Sequence, residues 1–455
     1  MVVMKFGGTS VEDARAFRNV CEIIAEREAP HPLVIVSAPA GVTNILLRLA
    51  EMASTGDVTT TLDEVGKLRS RLTAIARDLP GIAAAAAEKE IVRELDDLSH
   101  LLRSVAVIQE VTPRLLDQCA AYGEGWSALL LVQFLRAQGI TSEFCDARRV
   151  MVTNDSFTKA EPQFDAIALR VREAVQPALD RSVVVMQGFV GATAKGVTTT
   201  LGRGGSDYSA AILGAALEAE EIQIWTDVDG ILSADPHLIP EARLLNEVTF
   251  DEAAELAYFG AKVLHPSTIL PAMKKNIPVR VLNSRRPHLQ GTMITSHPRS
   301  GADPLVKSIA YKKNITVVTI QSTRMLMAYG FLARVFEIFK QYKKSIDVVA
   351  TSEVGVSLTV DDPSNLGDLV AELREFSDVK IEHNKSVVSV VGERMKHTTG
   401  IAGKVFQALG KADVNVELIS HGGSEINLTF VISEPKTDTA VRALHEELFA
   451  PGQKT

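Results

Sequence analysis

The chain of 455 residues is poor in cysteine, in aromatic residues and in positive charge, and each shortage removes a class of protein. Cys21, Cys119 and Cys145 are odd in number and widely spaced, which excludes a disulfide framework and a zinc-binding spacing and fits a reducing compartment. All three read as core thiols. No run of about 18 continuous apolar residues is present to span a bilayer, and the first residues lack a basic segment followed by an apolar run and a cleavage site. The expectation is a cytoplasmic protein with no membrane partner. Lys and Arg number 48 against 56 Asp and Glu, a formal net charge of −8, so a general nucleic-acid binder is excluded and small molecules are the expected partners, with room for a local basic pocket. The 46% hydrophobic and 23% charged composition is that of a globular protein, at a length of roughly two to four domains.

Hydrophobic runs at Leu33–Val36, Val183–Met186 and Ile222–Trp225 are continuous rather than alternating, as in parallel strands buried on both faces. Helical patterns separate them, and the Ala-rich stretch at 83–87 followed by 98–109 predicts a helical insertion over 60–120. This alternation predicts an α/β fold, an α/β/α sandwich with its site at the carboxyl ends of the strands. There the Lys5 turn and the segments 37–44, 187–189 and 226–230 would gather. The C-terminal third instead repeats itself at an offset of 70 residues: Gly330–Phe336 matches Gly400–Phe406, Ile346–Val349 matches Val416–Ile419, and Leu358-Thr359 matches Leu428-Thr429. Repeats of this length are stacked supersecondary units. The expected division is a catalytic domain over 1–284, a Pro-rich linker over 285–304, and small α+β modules over 305–384 and 385–455, the second sharing a strand from about 305–315.

The stretch Val2–Ser10 joins a buried strand ending in Lys5-Phe6 to Gly7-Gly8 and then to Thr9 or Ser10 as a helix opener. Glycines let backbone amides approach an anion, and a helix N-terminus favours negative charge, so this is a phosphate-cradling turn with a lysine at its edge. The order is not that of a P-loop, in which Lys follows the glycines. A second glycine-rich loop, Thr198–Tyr208, runs into a helix and carries Arg203, Ser206 and Asp207. Arg203 offers a planar fork for a carboxylate or phosphate, while Asp207 either caps the helix or holds a cation. Thr226-Asp227-Val228-Asp229-Gly230 ends a strand; Asp229-Gly230 reads as a turn, and Asp227, placed at the last strand position, as the ligand candidate. Thr249–Glu252 fits a capping box and Gly260 a C-cap, defining a helix that delivers Lys262 and a structural His265. Glu124, beside Gly123, is either a solvated side chain or a carboxylate of the site.

Together the motifs KFGGTS at 5–10, SAPAGVTN at 37–44, GE at 123–124, TTTLGRGGSDY at 198–208, WTDVDG at 225–230 and FGAKVLHP at 259–266 resemble the aspartate kinases of the amino-acid kinase superfamily, over essentially the whole chain. The resemblance implies a three-layer α/β/α kinase domain followed by two ferredoxin-like ACT modules, and transfer of the γ-phosphoryl of ATP, with Mg²⁺, to the β-carboxylate of L-aspartate. It implies catalytic roles for Lys5 and Asp207, with nucleotide contacts from Lys5, Gly7, Gly8, Thr226, Asp227 and Lys262. Aspartate would be held by Thr43, Glu124, Arg203 and Ser206, and no side chain is assigned as a metal ligand. The nearest branch is the lysine-sensitive, monofunctional one. Its L-lysine pocket would use Met325, Gly330, Phe331, Leu332, Ile346, Asp347, Thr351 and Ser352 at the interface of a homodimer or dimer of dimers. Leu232 and His237 depart from the tyrosine and arginine common in the family. The rival readings are another enzyme of the superfamily and a catalytically silent amino-acid sensor.

Overall fold

The computed structural model describes residues 1–26, 31–259, 266–297, 305–322, 329–393, 395–421 and 425–449. They form two compact units: Met1–Ile231 with Asn246–Phe250 and Val263–Pro298, and Leu232–Leu245 with Asp251–Lys262 and Arg299–Thr455.

In the first unit the chain runs through β1 (Val2–Phe6), α1 (Ala14–Ala25), β2 (Leu33–Val36), α2 (Val42–Ser54), α3 (Val58–Arg77), α4 (Gly81–Ile108), α5 (Pro113–Ala137), β3 (Ser142–Phe144) and β4 (Val152–Thr153). It continues through α6 (Phe164–Arg170), α7 (Gln176–Leu179), β5 (Val183–Gln187), β6 (Val190–Thr193), β7 (Thr198–Thr200), α8 (Gly205–Ala216), β8 (Glu221–Thr226) and β9 (Glu247–Thr249). After α9 (Phe250–Tyr258), which belongs to the second unit from Asp251 onward, it closes with α10 (Leu270–Lys274), β10 (Val279–Asn283) and β11 (Thr292–Thr295).

Eight strands form one sheet in the order β3-β5-β2-β1-β8-β10-β11-β9, and β4, β6 and β7 form a small separate sheet. The apolar runs pair as their composition requires: β1 lies parallel to β2 on one side and β8 on the other, with Lys5 level with Ile35 and Ile224. Met4, Phe6, Val34 and Val36 share a core cluster with α1, α2 and α5. The opposite face takes α8, where Gly214 lies so close that a Cβ would stand 2.6 Å from Ile222. Helices therefore cover both faces. The helical stretch expected over 60–120 is α3, α4 and the start of α5. Helix α5 begins as its sequence dictates, with Thr112 accepting from the Leu115 amide and Pro113 at the first helical position.

Two boundaries differ from expectation. The helix after the glycine pair is opened by Asp13, whose carboxylate accepts from the Ala16 amide at 2.8 Å, whereas Thr9 and Ser10 lie in a preceding 3₁₀ turn. The stretch 285–304, expected as a linker, contributes β11 to the eight-stranded sheet, antiparallel to β10, because Thr292 and Ile294 are apolar or buried partners for Val281 and Val279.

The second unit continues with β12 (Ser308–Gln321), α11 (Phe331–Gln341), β13 (Val349–Thr351), β14 (Gly355–Val360), α12 (Leu366–Arg374), β15 (Asp378–Val391), α13 (Ile401–Lys411), β16 (Val416–His421), β17 (Asn427–Ser433) and α14 (Thr437–Phe449). One antiparallel sheet, β13-β14-β12-β15-β17-β16, carries two cores. Helices α11 and α12 pack on one half, and α13 and α14 on the other. Both 14-residue strands, β12 and β15, serve both halves, so no boundary at 384/385 separates two self-contained modules. The 70-residue repeat extends to the backbone: the left-handed residues Asn314, Gly330 and Lys343 (φ 61°, 85° and 53°) recur as Asn384, Gly400 and Asp413 (φ 58°, 88° and 54°). The Asn pair marks where each long strand passes from one core to the other.

Candidate active site

Lys5 is the penultimate residue of the central strand, and burial of its neighbours leaves its side chain one way out, toward the strand's carboxyl end. Its Nζ lies 2.7 Å from Asp207 Oδ1, an ion pair off the hydrogen-bond axis, with the side chains only 10% and 15% exposed. Asp207 sits in the first turn of α8, whose N-cap is Gly204 at φ 70° with no side-chain cap. The cap is thus supplied by backbone, and Asp207 holds the cation. A carboxylate in the first turn is also favoured by the helix dipole.

The turn after Lys5 is stitched to its neighbours. The Gly7 amide donates to Trp225 O at 2.9 Å, and the Ala40 amide to Gly8 O at 3.0 Å. A Cβ at Gly8 would stand 2.7 Å from Ala38 O, so this glycine is required by the approach of the 38–40 backbone. Gly7 has ordinary van der Waals space, its nearest neighbours being Trp225 O and Lys5 Nζ.

On the other side of the 38–40 segment stands Glu124. Gly123 permits α5 to close on it, since a Cβ there would meet that of Ala38 at 2.6 Å. Glu124 is buried, its Oε2 has no hydrogen-bond partner, and desolvation pushes its carboxyl up to about 8 despite the backbone amides of Ala38 and Glu124. A buried carboxyl left this way is costly unless a partner arrives. Ser206 is buried against Gly188, where a Cβ would approach Ser206 Cβ to 2.6 Å, and the Gly188 amide donates to Val36 O at 2.8 Å. Thr43 is half-buried in the first turn of α2, and Arg203 is exposed with no partner among the described residues. Lys5, Glu124, Ser206 and Asp207 are therefore linked through adjoining contacts of the 7–8, 38–40 and 188 segments.

Thr226 is the last residue of β8 and Asp227 the first beyond it, one place later than expected. Asp227 is exposed and accepts from Thr226 Oγ1 at 3.2 Å. Asp229 serves the turn, bonded by Asn283 at 2.7 Å and paired with Arg286 at 2.6 Å. Gly260, Lys262 and His265 lie outside the described residues. Glu252, read as part of a capping box, is fully buried and pairs with Lys307 at 2.9 Å in the second unit. The Leu232 carbonyl accepts from the Ser308 hydroxyl, and His237 is exposed beside Asp235. Sequence reasoning missed Asp117, a buried carboxylate that accepts from the amides of Thr158 and Thr200 and from the Thr200 hydroxyl, fixing β7 ahead of the glycine-rich loop. Its only signal was an acidic residue on the apolar face of α5. Phe189, at φ 64° after Gly188, was likewise invisible as a left-handed residue.

Of the residues expected to hold an effector, Met325 lies outside the described residues. Gly330 is the left-handed N-cap of α11, and Phe331, Leu332 and Ile346 pack on the first core of the second unit. Thr351 and Ser352 are exposed. Asp347 has a side chain only 1% exposed; its carboxylate accepts from the Tyr258 hydroxyl and lies 3.4 Å from Lys312 Nζ.

Comparison with known proteins agrees with this geometry. The amino acid kinase family model matches residues 1–283, and an ACT domain model matches residues 388–448. The chain is 38% identical over 457 residues to lysine-sensitive aspartokinase 3 of Escherichia coli, covering 99% of each, and 38% identical over 472 residues to chloroplastic aspartokinase 2 of Arabidopsis thaliana, covering 98% of this chain and 84% of that protein. Its structure matches crystal structures of E. coli aspartokinase III with aspartate and ADP (TM-score 0.86, 99% of this chain and 100% of that one) and with lysine and aspartate (TM-score 0.82, 99% of each). With a family model spanning more than half of it and such identity along nearly its whole length, the chain belongs to the aspartokinases of the amino acid kinase family.

Proposed function

We propose that this chain transfers the γ-phosphoryl group of ATP to the β-carboxylate of L-aspartate, giving 4-phospho-L-aspartate and ADP, the first step toward lysine, threonine and methionine. The observation that carries this reading is the Lys5–Asp207 pair beside the Gly7-Gly8 turn at the end of the central strand. No general base is needed, because a carboxylate with a reference pKa near 3.9 is already an anion at neutral pH. One carboxylate oxygen attacks the γ-phosphorus in line while the bond to the ADP oxygen breaks. The protein's task is to align two anions and neutralise developing charge. Lys5 neutralises, and Asp207 positions its ammonium. The turn at Gly7 and Gly8, with Thr226, Asp227 and Lys262, forms the nucleotide side. Arg203, without a partner among the described residues, takes the α-carboxylate of aspartate; Glu124 takes its ammonium; Thr43 and Ser206 fix its orientation.

Mg²⁺ would be carried chiefly on the phosphates, and Asp227, exposed just beyond β8, is the side-chain carboxylate that would hold it. Bound there, the ion would supply charge neutralisation on the transferred phosphoryl group.

L-lysine is the inhibitor in this reading, seated on the first core of the second unit at Met325, Gly330–Leu332, Ile346, Asp347, Thr351 and Ser352. Apolar side chains exposed on the sheet-edge strands, Val349 in β13 and Ile419 in β16, support assembly of a homodimer or dimer of dimers through this unit. Among the described residues no helix is long and apolar enough to cross a membrane, and the three cysteines are free thiols, which supports a cytoplasmic location.

The test is ADP release with MgATP and aspartate, glutamate or acetylglutamate as acceptor, with aspartyl phosphate trapped as its hydroxamate. Turnover of aspartate is expected; turnover of another acceptor alone, or none with all three, would reject the reading.

A further inference from the structure

Asp347 is the most enclosed carboxylate in the proposed effector region, and it is already satisfied from within the chain. Its Oδ1 accepts from the Tyr258 hydroxyl at the end of α9, and its Oδ2 faces Lys312 Nζ at 3.4 Å from the middle of β12. Lys312 does not depend on Asp347, since Asp361 holds the same ammonium at 2.7 Å, and Nζ also stands 5.4 Å above the Tyr258 ring. Three parts of the second unit thus meet at one buried carboxylate through bonds of unequal tenacity.

We propose that Lys312 is an internal stand-in for the effector: its ammonium occupies Asp347 until an ammonium group of free L-lysine replaces it, after which Lys312 stays with Asp361. This rests on the reading that lysine binds at Asp347, and adds what it must displace. The exchange conserves charge at a buried site, because one ammonium leaves as another enters, so the desolvation cost of baring the carboxylate is never incurred. Tyr258 and Lys312 both belong to the effector-free arrangement, so whatever favours their bonds to Asp347 opposes binding by the same factor.

The test is calorimetric titration of L-lysine into the full-length protein and two variants with opposite expected signs. Lys312→Met removes the competitor while Tyr258 still caps Asp347, and lysine binding should tighten by about fivefold or more. Asp361→Asn removes the alternative partner, so Lys312 clings to Asp347 and lysine binding should weaken. A purely structural network would move both variants the same way. Thermal unfolding of each variant shows that it folds, and Tyr258→Phe, also expected to tighten binding, serves if Lys312→Met does not. Wild type that binds lysine while Lys312→Met, or Tyr258→Phe in its place, binds no more tightly overturns the stand-in and leaves the effector reading intact. Wild type that fails to bind while Lys312→Met binds supports the stand-in as a block. Failure of both to bind rejects the effector reading and the stand-in together.

Discussion

The two units each contain a lysine–carboxylate pair of nearly equal length, and the contrast separates a working ion pair from a structural one. In the first unit Lys5 and Asp207 stand 2.7 Å apart with 10% and 15% of their side chains exposed. In the second, Lys307 and Glu252 stand 2.9 Å apart with 1% and 0% exposed. Both remove charge from water and so carry a desolvation cost that only good geometry offsets. The difference is access. Lys5 lies at the open carboxyl end of a parallel strand, beside glycine amides and an exposed arginine, where a polyanion can share its charge. Lys307, before β12, meets a helix residue inside a packed unit, with both side chains shielded from solvent. Length alone therefore says little about what a buried pair is for.

That contrast can be broken most severely at Glu252. Glu252→Ala would remove the carboxylate that faces the Lys307 ammonium in the interior, and a loss of about 1.5–3 kcal/mol is expected in denaturant unfolding. If Glu252→Ala unfolds like wild type, the pair is not structural.

At the other pair, Lys5→Ala or Asp207→Ala should lower kcat by about 10²-fold or more, because one neutralises transition-state charge and the other aims it. Unfolding midpoints should change far less than at Glu252. A wild-type kcat would remove that residue from the mechanism and dissolve the distinction between the two pairs.

The smallest expected effect sharpens the electrostatics of the open site. Glu124 is raised to about 8 by desolvation and is protonated at neutral pH in the empty protein. Binding the ammonium of aspartate needs the ionised form, so below about pH 8 each unit of acidity should weaken aspartate binding by up to tenfold, levelling as pH passes 8. Glu124→Gln should bind weakly with a flat profile between pH 6 and 8. A flat wild-type profile would show that Glu124 does not meet the ammonium.

Much of the first unit was legible because parallel strands buried on both faces leave continuous apolar runs, and glycine-rich turns leave punctuation at their ends. The Lys5 turn and the start of α8 follow from such local rules. Other positions needed three dimensions. Gly8 and Gly188 are glycines because another segment's backbone or side chain closes on them, at Ala38 and Ser206. Asp117 went unread and Glu252 looked like a capping residue, and only packing reveals that each is buried and bonded at long range. Strand β11 was hidden in a Pro-rich stretch because it is only four residues long and is held as a strand by pairing with β10 on one side and β9 on the other.

By itself the sequence determined most of the strand and helix order, the 70-residue repeat, and the residue types gathered at the strand ends, since these depend on period and local turn chemistry. Tertiary structure alone decided that β12 and β15 each serve two cores, that Asp207 holds Lys5 instead of capping α8, and that Asp347 is occupied by Tyr258 and Lys312. Those outcomes depend on which charges are withdrawn from water together, a property of the assembled packing that no single segment encodes.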